Sequence, residues 1–245
     1  MAKLPNLVEM LQAGVHFGHQ TSRWHPKMKN FIFGSRGGIH IVDLEKTQQM
    51  LPDALAFVKS VAARGGNVLF VGTKRQAQPI VEKYAKACGM PYVTQRWLGG
   101  TLTNFAQIKH TLKRLRTLKD QREKGELKKY TKKEQIILGR EIEEMEHKVG
   151  GIQMLEKPPE AIFVVDIRME KTAVDEANVI GTKVVAICDT NVNPDGVNYV
   201  IPANDDAVKS IDLITSLISE AVLEGVVEAK RAALQKQVEQ TPKAV

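Results

Sequence analysis

Runs such as NVLFVGT (67–73), AIFVVDI (161–167) and KVVAICDT (183–190) are apolar at odd and even positions alike. A strand of that kind has two apolar faces, and only a sheet covered by helices on both sides can bury them. The runs are short and β-branched, which suits strands of about 4–8 residues rather than buried helices. IHIVDL (39–44), PYVTQ (91–95) and NYVIPAN (198–204) have the same character. Between them lie segments with helical spacing and helix punctuation. LEKTQQMLPDALAFVKSVAARGG (44–66) stops at a Gly pair. RQAQPIVEKYAKACG (75–89) carries Pro79 near its first turn and ends at Gly89. MEKTAVDEANVIG (169–181) follows one strand, and DDAVKSIDLITSLISEAVLEG (205–225) follows another, its leading acids suiting a helix N-terminus. The alternation predicts an α/β, doubly wound parallel sheet.

One segment breaks the rhythm. Phe105, Ile108, Leu112 and Leu115 are spaced 3, 4, 3, and Leu138, Ile142, Met145, Val149 and Ile152 are spaced 4, 3, 4, 3. KGELKKYTKK (124–133), with Gly125, joins the two stripes. This spacing predicts an antiparallel coiled-coil helical hairpin protruding from one edge of the sheet, each arm roughly 30 Å long. RWLGGTLTNF (96–105) stands at its root. Gly99 and Gly100 permit a sharp exit from the strand, Trp97 anchors the base, and Thr103 or Asn104 caps the first helix.

Charge singles out the same segment. The chain carries a formal +7. Residues 109–133 hold eleven Lys or Arg against three acids, a net +8, so the remainder sums to −1. Concentrated positive charge favours a polyanion through counterion release, whereas a merely solvated helix gains nothing from it. The acidic run Glu141, Glu143, Glu144 and Glu146 on the return helix suits a protein contact instead. A second basic stretch, HFGHQTSRWHPKMKNFIFGSRGGIHIVDL (16–44), precedes the body and ends in a β-hairpin turning at Arg36–Gly38. Trp24 and Trp97 read as core anchors, and the cations around them as groups for RNA phosphates.

An α/β sheet also invites an enzyme. The turn VGTKRQAQ has one glycine and neither a GxGxxG nor a GxxxxGK[ST] pattern. No GxSxG elbow is present. CDTNVNPDG (188–196) has Pro194 where a calcium loop needs glycine, and reads as Asx-type turns closing a strand. His16 and His19 are three apart, and Asp189 and Asp205 follow strand ends, so these four are the candidate metal ligands, with no cofactor expected. Cys88 and Cys188 are expected buried and reduced, consistent with the cytoplasm. No apolar run is long enough for a membrane span, and the N-terminus lacks the apolar centre of a signal peptide.

In order, AGVHFGHQTSRWHPKMKNFIFG, IHIVDLEKT, VLFVGTKRQA, RWLGGTLTNF, PEAIFVVDI and CDTNVNPDGVNYVIPANDDA resemble the S-two family of the small ribosomal subunit, over residues 4–225. The resemblance implies a flavodoxin-like sheet with a coiled-coil hairpin. It also implies a structural, non-catalytic protein on small-subunit rRNA between head and body, near the mRNA exit. Implied partners are neighbouring small-subunit proteins and the large RNA-binding protein S-one, where an organism has one. Arg23, Lys27 and Lys29, Lys74 and Arg75, and Arg96 match the family's basic motifs. Charge adds Arg36, Lys109, Lys113, Arg114 and Arg116 as RNA-facing candidates. The expected organisation is an N-terminal helix and basic segment (1–38), an α/β domain (39–104 and 151–225), the inserted hairpin (105–150) and a flexible C-terminal tail (226–245). The readings from a different class are an α/β enzyme or nucleotide-binding protein with a pocket at the strand C-terminal ends, and a free regulatory RNA binder.

Overall fold

The computed structural model of the chain describes residues 4–240, with side chains placed through residue 231. It begins with a short helix, α1 (Leu7–Gln12), closed by a reciprocal capping box between Asn6 and Glu9. Three short strands follow: β1 (Phe17–Gln20), β2 (Ile32–Arg36) and β3 (Ile39–Val42). They make a small antiparallel sheet in the order β1-β3-β2. β2 and β3 turn at Gly37–Gly38, with Arg36 opposite Ile39.

This corrects the placement of IHIVDL, expected in the parallel sheet. A two-residue turn holds β3 beside β2, β1 takes its other edge, and half-exposed His40 interrupts the apolar pattern. The remaining elements are α2 (Leu44–Ala63), β4 (Val68–Val71), α3 (Gln78–Cys88), β5 (Tyr92–Val93), α4 (Phe105–Glu123), α5 (Lys132–Val149), β6 (Ala161–Val165), α6 (Lys171–Ile180), β7 (Lys183–Cys188), β8 (Tyr199–Pro202) and α7 (Val208–Gln240).

Five strands form one wholly parallel sheet, ordered β5-β4-β6-β7-β8. Counted within this sheet alone, the order is 2-1-3-4-5. Alternate residues feed two cores, as the two-residue period of a strand requires. Val68, Phe70, Phe163, Val165, Val185 and Ile187 face α2, α3 and α7. Leu69, Val71, Ile162, Val164, Val184 and Ala186 face α6, Trp97 and the inner ends of α4 and α5. On the first face α2 and α7 lie so close that a Cβ on Gly225 would stand 2.3 Å from the Lys59 carbonyl oxygen.

α4 and α5 occupy the connection between β5 and β6, where a doubly wound fold ordinarily has one crossover helix. They touch chiefly each other and the turns at their ends rather than the strands. Ile108, Leu112, Leu115, Ile142, Val149 and Ile152 are buried, and Phe105, Leu138 and Met145 are half-buried, so both stripes face inward. Thr131 and Glu134 form a capping box that starts α5.

The opening of α4 differs from expectation. Asn104 stands at its N-cap but makes no side-chain cap bond, and the Thr103 hydroxyl turns to Glu176. Asp205 and Asp206 precede α7 without entering its first turn. Asn204 Oδ1 accepts there from the amides of Asp206 and Ala207, because both aspartates face Lys74. α7 continues through most of the expected tail, to Gln240. Thr241 and Pro242 lie outside the described residues.

Candidate nucleic-acid interface

The root of the helix pair is organised by one carboxylate. Glu176 lies on the inward face of α6 beside Ala173 and Ala177, and is 7% exposed. Its Oε1 accepts from the Trp97 indole at 3.1 Å and the Gly100 amide at 2.8 Å. Its Oε2 accepts from the Leu102 amide at 2.9 Å and from the amide and hydroxyl of Thr103 at 3.1 and 3.2 Å. Burial alone would raise its pKa, but these donors outweigh burial and hold the carboxyl below its ordinary value. Gly100 adopts φ +86°, where a side chain is strained, so it makes the sharp exit; Gly99 does not share that conformation. Trp97 is buried against Ile108, Leu112 and the sheet. The loop at the base of α4 is thereby fixed.

Glu176 was not among the residues singled out by sequence. The available signal was its position: a glutamate at a core-facing site of an amphipathic helix is buried only when donors await it.

The candidate cations fall into three settings. Arg23, Lys29, Arg36, Arg75, Arg96 and Lys113 are exposed, and none forms an ion pair among the described residues. Others are exposed but engaged. Lys27 pairs with Asp195, Arg114 with Glu141 at 2.6 Å, Lys109 donates to the Glu156 carbonyl at 3.3 Å, and Arg116 donates to the Gln153 carbonyl. Lys74 is the third case. It is turned inward, its ammonium 2.8 Å from Asp205, 2.6 Å from Asp206 and 3.2 Å from Asp166. Burial would lower its pKa, yet the surrounding carboxylates raise it well above the ordinary lysine value. An ammonium enclosed by three carboxylates does not present itself to a phosphate.

Two acids of the return helix bridge to its partner helix: Glu141 holds Arg114 and Glu146 holds Lys119 at 2.5 Å, while Glu144 pairs at 2.5 Å with Lys148 one turn along α5 itself and Glu143 stays exposed. Trp24, expected as a core anchor, is 39% exposed, with its ring 5.5 Å from that of His40. The three-stranded sheet is too small to cover it.

The C-terminal ends of the parallel strands, where α/β enzymes bind ligands, are occupied by the chain itself. The amide of His19 donates to the Thr190 hydroxyl at 2.9 Å, and that of His25 to the Thr190 carbonyl at 2.8 Å. The basic N-terminal segment is thus laid over the loop after β7. Around it gather Asp166, Asp189, Asp205 and Asp206. Asp166 adopts φ +67°, a conformation aspartate tolerates because its Oδ1 accepts from the amides of Arg168 and Met169. Burial and the neighbouring carboxylates Asp166 and Asp189 push Asp205 up to about 7, against the opposing pull of Lys74. Contact with Asp189 raises the pKa of His19 despite burial. His16 lies apart, its ring tilted against that of Phe17 at 4.0 Å, its pKa lowered by burial. So many carboxylates make this crevice hostile to a nucleotide phosphate. Cys88 and Cys188 are buried free thiols.

A comparison with known families settles what this architecture belongs to. The model of the family described as Ribosomal protein S2 matches residues 10–225. The chain belongs to that family. It is accordingly a structural protein of the small ribosomal subunit, not an enzyme, associated with small-subunit components and rRNA in the cytoplasmic ribosome. No helix among the described residues is long and apolar enough to cross a membrane. Residues 109–133, which span most of α4 and the turn into α5, hold the whole positive excess of the sequence.

Proposed function

We propose that this S2 family member binds small-subunit rRNA between the head and body, near the mRNA exit, through two basic surfaces held at a fixed mutual angle. One is the N-terminal segment and strand-end rim, with Arg23, Lys29, Arg36, Arg75 and Arg96. The other is the helix pair, which we read as an antiparallel coiled coil whose outer cations include Lys113, Arg122, Lys128 and Lys129. Sheet order 2-1-3-4-5 supports reading the body as flavodoxin-like. The domain reading follows: a basic N-terminal segment (1–38), an α/β body (39–104 and 151–225), an inserted hairpin (105–150) and a C-terminal tail (226–245). Neighbouring small-subunit proteins and protein S-one are the proposed protein partners, with Glu143 among the few acids of α5 left for them.

One observation carries the reading. The whole positive excess of the chain lies in residues 109–133, and that segment is mounted on a base fixed by Glu176 and Trp97. A solvated decorative helix needs no such mounting. The test is sedimentation of tagged protein in lysate at low and raised salt. Co-migration with small subunits, lost as salt rises, is expected. Migration as a free protein where intact subunits are present would overturn it.

A further inference from the structure

We propose that the three-stranded sheet is a stacking platform for unpaired RNA bases, with Phe33 and Trp24 as the rings that receive them. The proposal rests on reading the N-terminal segment as an RNA-facing surface, and it names the part of the RNA taken there: nucleotides outside a duplex.

Phe33 is 79% exposed, the most exposed large apolar side chain among the described residues. A single exposed apolar residue is ordinary. The way this one is presented is not. Ile32 lies opposite Val42 and Gly34 opposite Ile41, so β2 takes two steps where β3 takes one. Phe33 is the extra residue of a β-bulge, a device that re-aims a side chain at a sheet edge. A Cβ added at Gly34, Gly37 or Gly38 would meet nothing within 4 Å, so the approach along the hairpin is open.

The second ring is tied to the same sheet. The Thr21 amide donates to the Gly38 carbonyl at 2.9 Å, and the His25 amide to the Thr190 carbonyl at 2.8 Å. Trp24 is held between these two bonds, 39% exposed, with its ring 5.5 Å from that of His40. His40 faces Ser35 across the β2–β3 ladder, and Ser35 is two positions from Phe33. The backbone under both rings is thus fixed before a ligand arrives, which lowers the entropy lost on binding.

Charge selects the occupant. Between Glu9 and Asp43 the chain has no acid, and its cations there are Arg23, Lys27, Lys29 and Arg36. Lys27 pairs with Asp195, and the other three are exposed. Flat rings among guanidinium and ammonium groups suit single-stranded RNA, with stacking for its bases and counter-charges for its phosphates. A duplex keeps its bases stacked inside and would use the cations alone. An added protein strand is disfavoured, because the bulge breaks the register of the edge it would extend.

The test uses full-length protein and two labelled probes of equal length and charge, single-stranded oligoadenylate and the same strand with abasic residues. Fluorescence anisotropy reads the affinities. Wild type is expected to bind oligoadenylate about fivefold or more tightly than the abasic strand, the fold-change that one stacked base gives. Phe33→Ala and Trp24→Ala should each reduce that preference and leave abasic binding unchanged, whereas Phe33→Trp should retain it. Phe33 is so exposed that its replacement should leave the melting temperature in place, which keeps the question answerable should Trp24→Ala fail to fold. Equal affinity of wild type for the two probes would overturn the proposal. A Phe33→Ala protein that keeps the base preference would overturn it too, and loss of small subunits from that protein on sedimentation would assign the ring to a protein contact. Wild type that prefers bases yet never sediments with small subunits would overturn the ribosomal reading alone.

Discussion

At the scale of single residues, Glu176 is the most consequential side chain at the root of the helix pair. It satisfies five donors from one loop. Glu176→Ala leaves them unpaired in a buried place and should destabilise the fold by roughly 3 kcal/mol, read by chemical denaturation. Glu176→Gln keeps one accepting oxygen and should fall between alanine and wild type. The pH dependence has a definite sign. A carboxyl whose folded pKa is depressed contributes stability above its unfolded value of about 4.3, and loses it as pH falls through the folded value. The gap between wild type and Glu176→Gln should therefore be widest near neutrality and close in acid. Fluorescence suits the measurement, since Trp97 is buried while Trp24 is not. Lys74 illustrates what a local reading misses. VGTKRQAQ presents two adjacent cations, and nothing nearby tells them apart. The aspartates that enclose Lys74 lie 92 to 132 positions further along the chain, at 166, 205 and 206.

At the scale of elements, the strands of the parallel sheet and both hairpin stripes were legible, because burial on two faces and a heptad spacing are local patterns. The pairing of β3 with β1 was not, since register between distant strands leaves no local mark. Two predictions belong here. Leu112→Ala removes a side chain buried between α4 and α5, and should cost about 2–5 kcal/mol. Gly225→Val forces a side chain into the Lys59 carbonyl and should cost about 1–3 kcal/mol or more, by parting α2 from α7. Reversing Lys113, Arg122, Lys128 and Lys129 should act differently. The four are exposed and make no ion pair among the described residues, so thermal stability should hold. Subunit association should weaken, with the salt slope falling by about 0.7–0.9 for each phosphate that the arm no longer neutralises. An unchanged slope would remove the helix pair from the RNA interface.

At the scale of the whole molecule, the α/β body has the architecture of an enzyme with its ligand crevice closed by its own N-terminal segment and filled with carboxylates. The isolated protein, without added metal, should bind no ATP in equilibrium dialysis; stoichiometric binding would reopen the crevice as a ligand site. The sequence indicated this only by omission, through the lack of a phosphate-binding turn after β4. The closure itself joins His19 to Thr190, 171 positions apart.

That separation has a temporal meaning. At about 5–20 residues per second of synthesis, the N-terminal segment leaves the exit tunnel roughly 10–30 s before the loop that receives it. Through that interval its cations are tethered to a ribosome, a particle made largely of RNA, with no finished body to hold them in register. The N-terminal cations reach their final register only after the loop that follows β7 has been made.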